Sequence, residues 1–306
     1  MAVEGALAML WQHSGSRSGE ITIATDSLFS QTRPCTRPFA TCPHSVLTRA
    51  AAERGVLRAL LFPVAWLALQ CQLLLLGLIS IGWNTAALLL YPVLPRERGR
   101  RVGRAMISFG YRSFWRVAAL SGMIRLHSEA LDALRDEPGL IVVANHPSML
   151  DALMLVARLP RSACVMKASL MRNPFLWPGA RLARYIRNDS PHGMVRLAVA
   201  DLLQGGQLVL FPEGTRTVQR PVNAFRPGFT LIAKLAQAPI QAVFIDTDSP
   251  YLGKGWPLWR LPPLPIVFTV RLGRRFAPRD DHAALFAEVE AHFAEGVRPP
   301  AAADDR

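Results

Sequence analysis

No acidic or basic side chain interrupts the chain between Arg58 and Arg96. A helix needs about 20 apolar residues to cross a bilayer core, so this run is long for one span and short for two. Gly77, Ser80, Gly82 and Asn84 mark an expected break in it. Ahead of the break, Ala59 to Leu76 is long enough to dip deep into or across a membrane, whereas Thr85 to Leu94 is too short. The pattern predicts a membrane-embedded helix or helical hairpin over residues 58–95. A helix buried in a protein core is the competing reading. Arginines follow at 96, 98, 100, 101, 104, 112 and 116, against one acid, Glu97. Val102, Met106, Phe109, Val117 and Leu120 fall on one helical stripe among them. Residues 96–120 are therefore expected to form a basic interfacial helix on anionic lipid. Nucleic-acid binding and a plain solvated face also fit the charge, but adjacency to the apolar run favours lipid.

From Gly122 the pattern changes to short apolar runs alternating with helical periodicity. Strands are expected at "GMIRLH", "GLIVVA", "ACVMKAS", "QLVLF", "PIQAVFI" and "IVFTVRLG". Helices are expected at "SEALDALRDE", "ALMLVARL", "RLAVADLLQGG", "TLIAKLAQ" and "HAALFAEVEAHFAEG". Such alternation implies an α/β fold, a mostly parallel sheet flanked by helices. The organisation expected is a poorly ordered N-terminal extension over 1–57, rich in Ser, Thr, Pro and Arg near its start, the apolar segment 58–95, and a catalytic domain over 96–306.

Composition narrows the partners. The chain has 306 residues, is 51% hydrophobic, and carries a formal net charge of +13 with a pI near 10.8. An anionic partner is implied: a phospholipid surface, a phosphorylated substrate or nucleic acid. Cys35 and Cys42 have a spacing unusual for zinc, and the cysteines are expected as reduced thiols. No G-x-G-x-x-G, Walker A, H-E-x-x-H or G-x-S-x-G sequence is present.

Two stretches carry chemistry. "ANHPSMLD", Ala144 to Asp151, lies where a buried strand gives way to a helix. His146 and Asp151 there form either a catalytic pair or a loop histidine beside a Ser148-x-x-Asp151 capping box. "LVLFPEGTR", Leu208 to Arg216, ends another strand in a turn. Strand ends in such sheets are where ligands bind, and the Arg216 guanidinium suits phosphate.

Together, His146-x4-Asp151 and Phe211-Pro-Glu-Gly-Thr-Arg216 resemble the glycerolipid acyltransferases, among them the 1-acyl-sn-glycerol-3-phosphate acyltransferases. The resemblance covers roughly residues 115–272 and implies a glycerol-3-phosphate acyltransferase-like fold behind membrane-docking helices. It implies that His146 deprotonates an acceptor hydroxyl attacking an acyl thioester and that Asp151 orients the imidazole. Backbone N–H groups near the helix start would receive the oxyanion. Glu213, Gly214, Thr215 and Arg216 would hold the acceptor, with Arg187 and Lys167 as further basic candidates. The donor implied is acyl-CoA or acyl-carrier protein and the acceptor a lysophospholipid. No metal or redox cofactor is expected, and no nucleic acid. The location implied is a membrane, with the catalytic domain on the cytoplasmic face of the bacterial inner membrane.

Two departures bear on the acceptor. "ARLARYIRND", Ala180 to Asp189, stands where the family carries an arginine-bearing block, with Arg187 shifted by one place. A Pro/Trp-rich stretch, Asp248 to Phe268, precedes the last strand and resembles acyltransferases of aryl-polyene-like lipid pathways. A non-enzymatic basic membrane-binding protein and a thioester or lipid-ester hydrolase are the rival readings.

Overall fold

The computed structural model describes residues 44–167, 173, 176–219 and 221–297. Most of the N-terminal extension, with Cys35 and Cys42, lies outside them, as does much of the stretch after Lys167. Helix α1 spans His44–Leu90 and α2 spans Arg96–Leu120. The helix thus begins inside the 1–57 segment, at a run of good helix formers.

The expected break at Gly77–Asn84 is not there; α1 runs through it. Its polar side chains turn back on the helix. Ser80 Oγ donates to Leu76 O at 2.8 Å, Asn84 Nδ2 to Ser80 O at 2.7 Å, and Thr85 Oγ1 to Ile81 O at 3.0 Å. Their hydrogen bonds are satisfied within the helix, so nothing forces a turn. The helix ends instead after Leu90, ahead of Pro92 and Pro95, which lack the N–H that further turns would use. Phe62–Leu90, whose most apolar 18-residue stretch has a mean hydropathy of 2.0, is long and apolar enough to cross a membrane. Its 29 residues make about 44 Å of helix. Only 17% of its most apolar stretch is buried, against the core-helix reading.

From Ala65 onward one stripe of α1 packs on the body through Leu69, Leu73 and Ala87. The stripe read along α2 points outward: Val102, Met106, Phe109, Val117 and Leu120 are all exposed. Its opposite face is buried, with Phe114 and Trp115 in the core. Arg100 and Arg104, expected among the basic residues facing anionic lipid, are buried there. Asp201 pairs with both, at 3.0 Å and 2.7 Å, and Arg104 also donates to Ala183 O and Arg161 O. A buried arginine is tolerated when its donors are filled this way. Gly103 allows the approach: a Cβ there would stand 2.7 Å from Ala183 N.

The body is a seven-stranded sheet in the order β1-β7-β6-β2-β5-β3-β4. Its strands are β1 (Ile124–His127), β2 (Leu140–Ala144), β3 (Ser162–Lys167), β4 (Ile186–Asn188), β5 (Gln207–Leu210), β6 (Ile240–Thr247) and β7 (Ile266–Phe276). Every neighbouring pair is parallel except β6 with β7. The remaining helices are α3 (Asp151–Arg158), α4 (Trp177–Leu182), α5 (Pro191–Leu203), α6 (Gly228–Ala236) and α7 (His282–Gly296). The helix expected from Ser128 is a 3-10 turn, Glu129–Leu134. Sequence periodicity missed α4 and β4, which are too short to show a period. Two apolar layers cover the sheet. One sets Leu69, Leu73, Phe114, Trp115 and α3 residues against Val142, Ala144 and Phe268; the other sets α5, α6 and α7 residues against Ile141, Val143 and Leu208. All five residues of β2 are buried, as a central strand covered on both faces requires.

Candidate active site

Strand pairing brings the two motifs together. Strands β2 and β5 are parallel neighbours, with Val143 opposite Leu210. The segments leaving their carboxyl ends, Asn145–Leu150 and Phe211–Arg216, therefore emerge side by side. Asn145 fixes the first on its other flank: its amide donates to Ile245 O at 2.9 Å and accepts from Ile245 N at 2.7 Å.

His146 Nδ1 lies 2.9 Å from Asp151 Oδ2. The ring stacks on Phe211, centroids 4.2 Å apart and planes 18° apart. Its side chain is 19% exposed while that of Asp151 is fully buried. Asp151 Oδ2 also accepts from Ser148 N at 2.8 Å; its other oxygen is buried without a hydrogen bond. Burial pushes the Asp151 carboxyl above the ordinary range, opposed by hydrogen bonding to His146 and Ser148, with Glu213 adding to the rise. The half of the capping box in which the carboxylate takes the Ser148 N–H is formed as well. One carboxylate serves both readings, because Asp151 opens α3 and faces back towards the loop.

Glu213 is buried and does not pair with Arg216. Its Oε1 accepts from His146 N at 2.9 Å and Thr217 Oγ1 at 2.7 Å; its Oε2 accepts from Asn223 N at 2.9 Å. Thr217 N in turn donates to His146 O at 2.7 Å. Glu213 therefore braces the His146 backbone, and both its oxygens already accept hydrogen bonds from protein groups. Arg216 NH1 donates to Leu252 O and Gly253 O, each at 2.9 Å. Its other guanidinium donors meet no partner among the described residues. Burial lowers its affinity for a proton and the Asp151 charge acts in the opposite direction. Gly214 has φ +67°, which favours glycine, and a Cβ there would sit 3.0 Å from Arg226 Nε. Thr215 is partly exposed between Gly214 and Arg216.

Three expectations fare differently. Backbone N–H groups at the start of α3 are already engaged: His146 N with Glu213, Ser148 N with Asp151, Met149 N with Leu252 O, Leu150 N with Ser148 Oγ, and Asp151 N with Ser148 O. None of these is free for an oxyanion, because the loop uses them to hold its own shape. Arg187 lies outside the cluster. It sits on edge strand β4, exposed, with Asp189 at 3.4 Å. Lys167 ends β3 opposite Asn188, two strands from β2. Residues the sequence did not single out are Asn145, Thr217, Asn223 and the Tyr251–Gly253 backbone. Thr217 adjoins a motif; Asn223 is distant in sequence and carries no local signal, and Tyr251–Gly253 lie in the Asp248–Phe268 stretch, whose composition gives no sign of a contact with the site.

Cys71 and Cys164 are free thiols, and burial pushes Cys164 up to about 12, so it is no nucleophile at neutral pH. No cluster of His, Cys, Asp and Glu suited to a metal occurs among the described residues.

Residues 125–246, which include both motifs, match the family model described as Acyltransferase. A 1-acyl-sn-glycerol-3-phosphate acyltransferase of Pseudomonas aeruginosa is 25% identical over 192 residues, 60% of this chain and 72% of that protein. Human lysophosphatidylcholine acyltransferase 1 is 26% identical over 205 residues, 63% of this chain but 36% of the human protein. The crystal structure of the Thermotoga maritima 1-acyl-sn-glycerophosphate acyltransferase, PlsC, superposes with a TM-score of 0.55 at 22% identity, covering 73% of this chain and 94% of that one. That likeness establishes the shared fold.

Proposed function

We propose, from the match of residues 125–246 to the Acyltransferase family model, that this chain moves a fatty acyl group to the hydroxyl of a lysophospholipid such as 1-acyl-glycerol-3-phosphate. The donor is acyl-CoA or acyl-carrier protein. The observation that carries the reading is the His146–Asp151 contact at 2.9 Å, with the imidazole part-exposed and the carboxylate buried behind it.

With Nδ1–H donating to Asp151, the lone pair of His146 sits on Nε2. It takes the proton of the acceptor hydroxyl as the oxygen attacks the thioester carbonyl. Asp151 fixes the tautomer and stabilises the imidazolium that forms. When the tetrahedral intermediate collapses, the C–S bond breaks and the thiolate leaves with the proton from Nε2. The acyl group passes directly to the acceptor. Arg216, with donors to spare beside this pair, holds the acceptor phosphate.

Phe62–Leu90 anchors the enzyme in a membrane, and the arginines of α2 place its catalytic part on the cytoplasmic face by the positive-inside tendency. A second reading keeps the chemistry and changes the acceptor to one from a specialised lipid pathway. The outward Arg187, paired with Asp189, favours it.

The test is acyl transfer in liposomes from labelled acyl-CoA and from labelled acyl-carrier protein, with and without a panel of lysophospholipids. Ester product from lysophosphatidic acid is the expected result. Product only from another acceptor selects the second reading. Free fatty acid released at the same rate with no acceptor overturns transfer in favour of hydrolysis.

A further inference from the structure

The loop from Asp248 to Pro265, between β6 and β7, has two differently built ends. One is seated in the catalytic region. Tyr251 and Leu252 are 2% and 1% exposed. Ser148 Oγ donates to Tyr251 O at 3.1 Å, Met149 N to Leu252 O at 3.0 Å, and Arg216 to the carbonyls of Leu252 and Gly253. Leu252 itself stands at φ +56°, a backbone conformation costly for a branched residue and held by these contacts.

The other end is tied to the apolar helix. Trp66 Nε1 donates to Trp259 O at 2.7 Å and Gln70 Nε2 to Leu258 O at 3.0 Å. Trp66 and Gln70 are one turn apart on α1, inside the stretch long enough to cross a membrane. Here the loop shows the solvent a tryptophan, with Trp259 73% exposed. Arg260 lies over the Trp256 ring at 4.9 Å, and Lys254 of the same loop is exposed; neither has an ion-pair partner among the described residues. From Ser249 to Arg279 the chain contains no acid. Tryptophan next to unpaired Lys and Arg is the composition of a membrane–water boundary, where the indole lies among headgroups and the cations reach phosphates.

We propose that Trp259, with Lys254 and Arg260, forms a second contact with the phospholipid surface, separate from the apolar helix. The contact is continuous with α1 through Trp66 and Gln70. It links the lipid surface to Arg216 and the His146 loop through one short segment. The inference rests on the membrane association proposed above.

Depth-dependent quenching in the full chain, reconstituted in vesicles of phosphatidylcholine and phosphatidylglycerol, tests it. Cys35, Cys42 and Cys71 are replaced by alanine; the buried Cys164 does not label. A fluorophore is placed singly at Trp259→Cys, Leu78→Cys and Asp280→Cys. Leu78 is an exposed position of α1. Asp280 follows the far end of β7, about 35 Å of strand from the loop. The expected result is quenching at 259 by a headgroup-level spin-labelled lipid more than by a chain-end one, deep quenching at 78, and none at 280. Quenching at 78 without quenching at 259 overturns the loop contact and leaves the helix in the membrane. Absence at both overturns the membrane reading and this inference with it. Equal quenching at 259 and 280 also overturns it, since no oriented contact then exists. A label at 259 that ignores lipid and responds to added acyl-carrier protein assigns the surface to that acidic partner instead.

Discussion

The segments after β2 and β5 each carry one buried carboxylate, and the two acids have opposite circumstances. Glu213 accepts three hydrogen bonds from backbone and hydroxyl donors, using both oxygens. Asp151 has one oxygen on His146 and Ser148 and leaves the other unpartnered. These three hydrogen bonds make Glu213 a fastener. Incomplete satisfaction in a buried site makes the Asp151 charge costly in the resting protein, and the proposed mechanism uses that charge when an imidazolium forms next to it. The neighbours of each carboxylate thus separate two acids that look alike in the sequence.

Removing the base gives the largest expected effect on this contrast. His146→Ala should lower kcat by about a thousandfold or more, with a much smaller fractional effect on stability, a modest fall in melting temperature as the stacking on Phe211 and the bond to Asp151 are lost. Steady-state transfer and a thermal melt check both. Glu213→Ala should act mainly on stability. It strands the N–H groups of His146 and Asn223, for a loss of about 2–4 kcal/mol, seen as a lower denaturation midpoint. Arg216→Lys keeps the charge and loses the planar fork that reaches Leu252 and Gly253 while presenting further donors. The KM for a phosphorylated acceptor should rise about tenfold, with a smaller change in kcat. Arg187→Ala should do least. Its exposed ion pair is worth under about 1 kcal/mol, and KM should stay within about twofold; a tenfold rise in KM would return Arg187 to the acceptor site.

Much of this architecture was legible in the chain. The apolar runs at Leu140–Ala144 and Gln207–Leu210 read as strands because a buried parallel strand has no polar face to interrupt it. His146 and Asp151 were legible because their partners lie five residues apart. What escaped depended on distant pairing. Nothing near Glu213 indicates that His146 N and Asn223 N occupy its oxygens, and nothing near Arg100 and Arg104 indicates that Asp201 waits about a hundred residues on. The break misplaced at Gly77–Asn84 arose because Ser and Asn stop helices only when their side chains compete with the backbone; here they bond to it from within the helix.

The most direct measurement sets Asp151→Asn beside Glu213→Gln, recording kcat and melting temperature for each. Burial raises the Asp151 pKa, so its ionised form costs the fold stability as pH rises through that pKa, a cost that an uncharged asparagine does not carry. The expected outcome is a kcat lower by about two to four orders of magnitude for Asp151→Asn with the melting temperature kept or raised. Glu213→Gln should melt lower while each folded molecule keeps most of its turnover. A fully active Asp151→Asn, or a stable Glu213→Gln without activity, would contradict the division of labour between the two carboxylates.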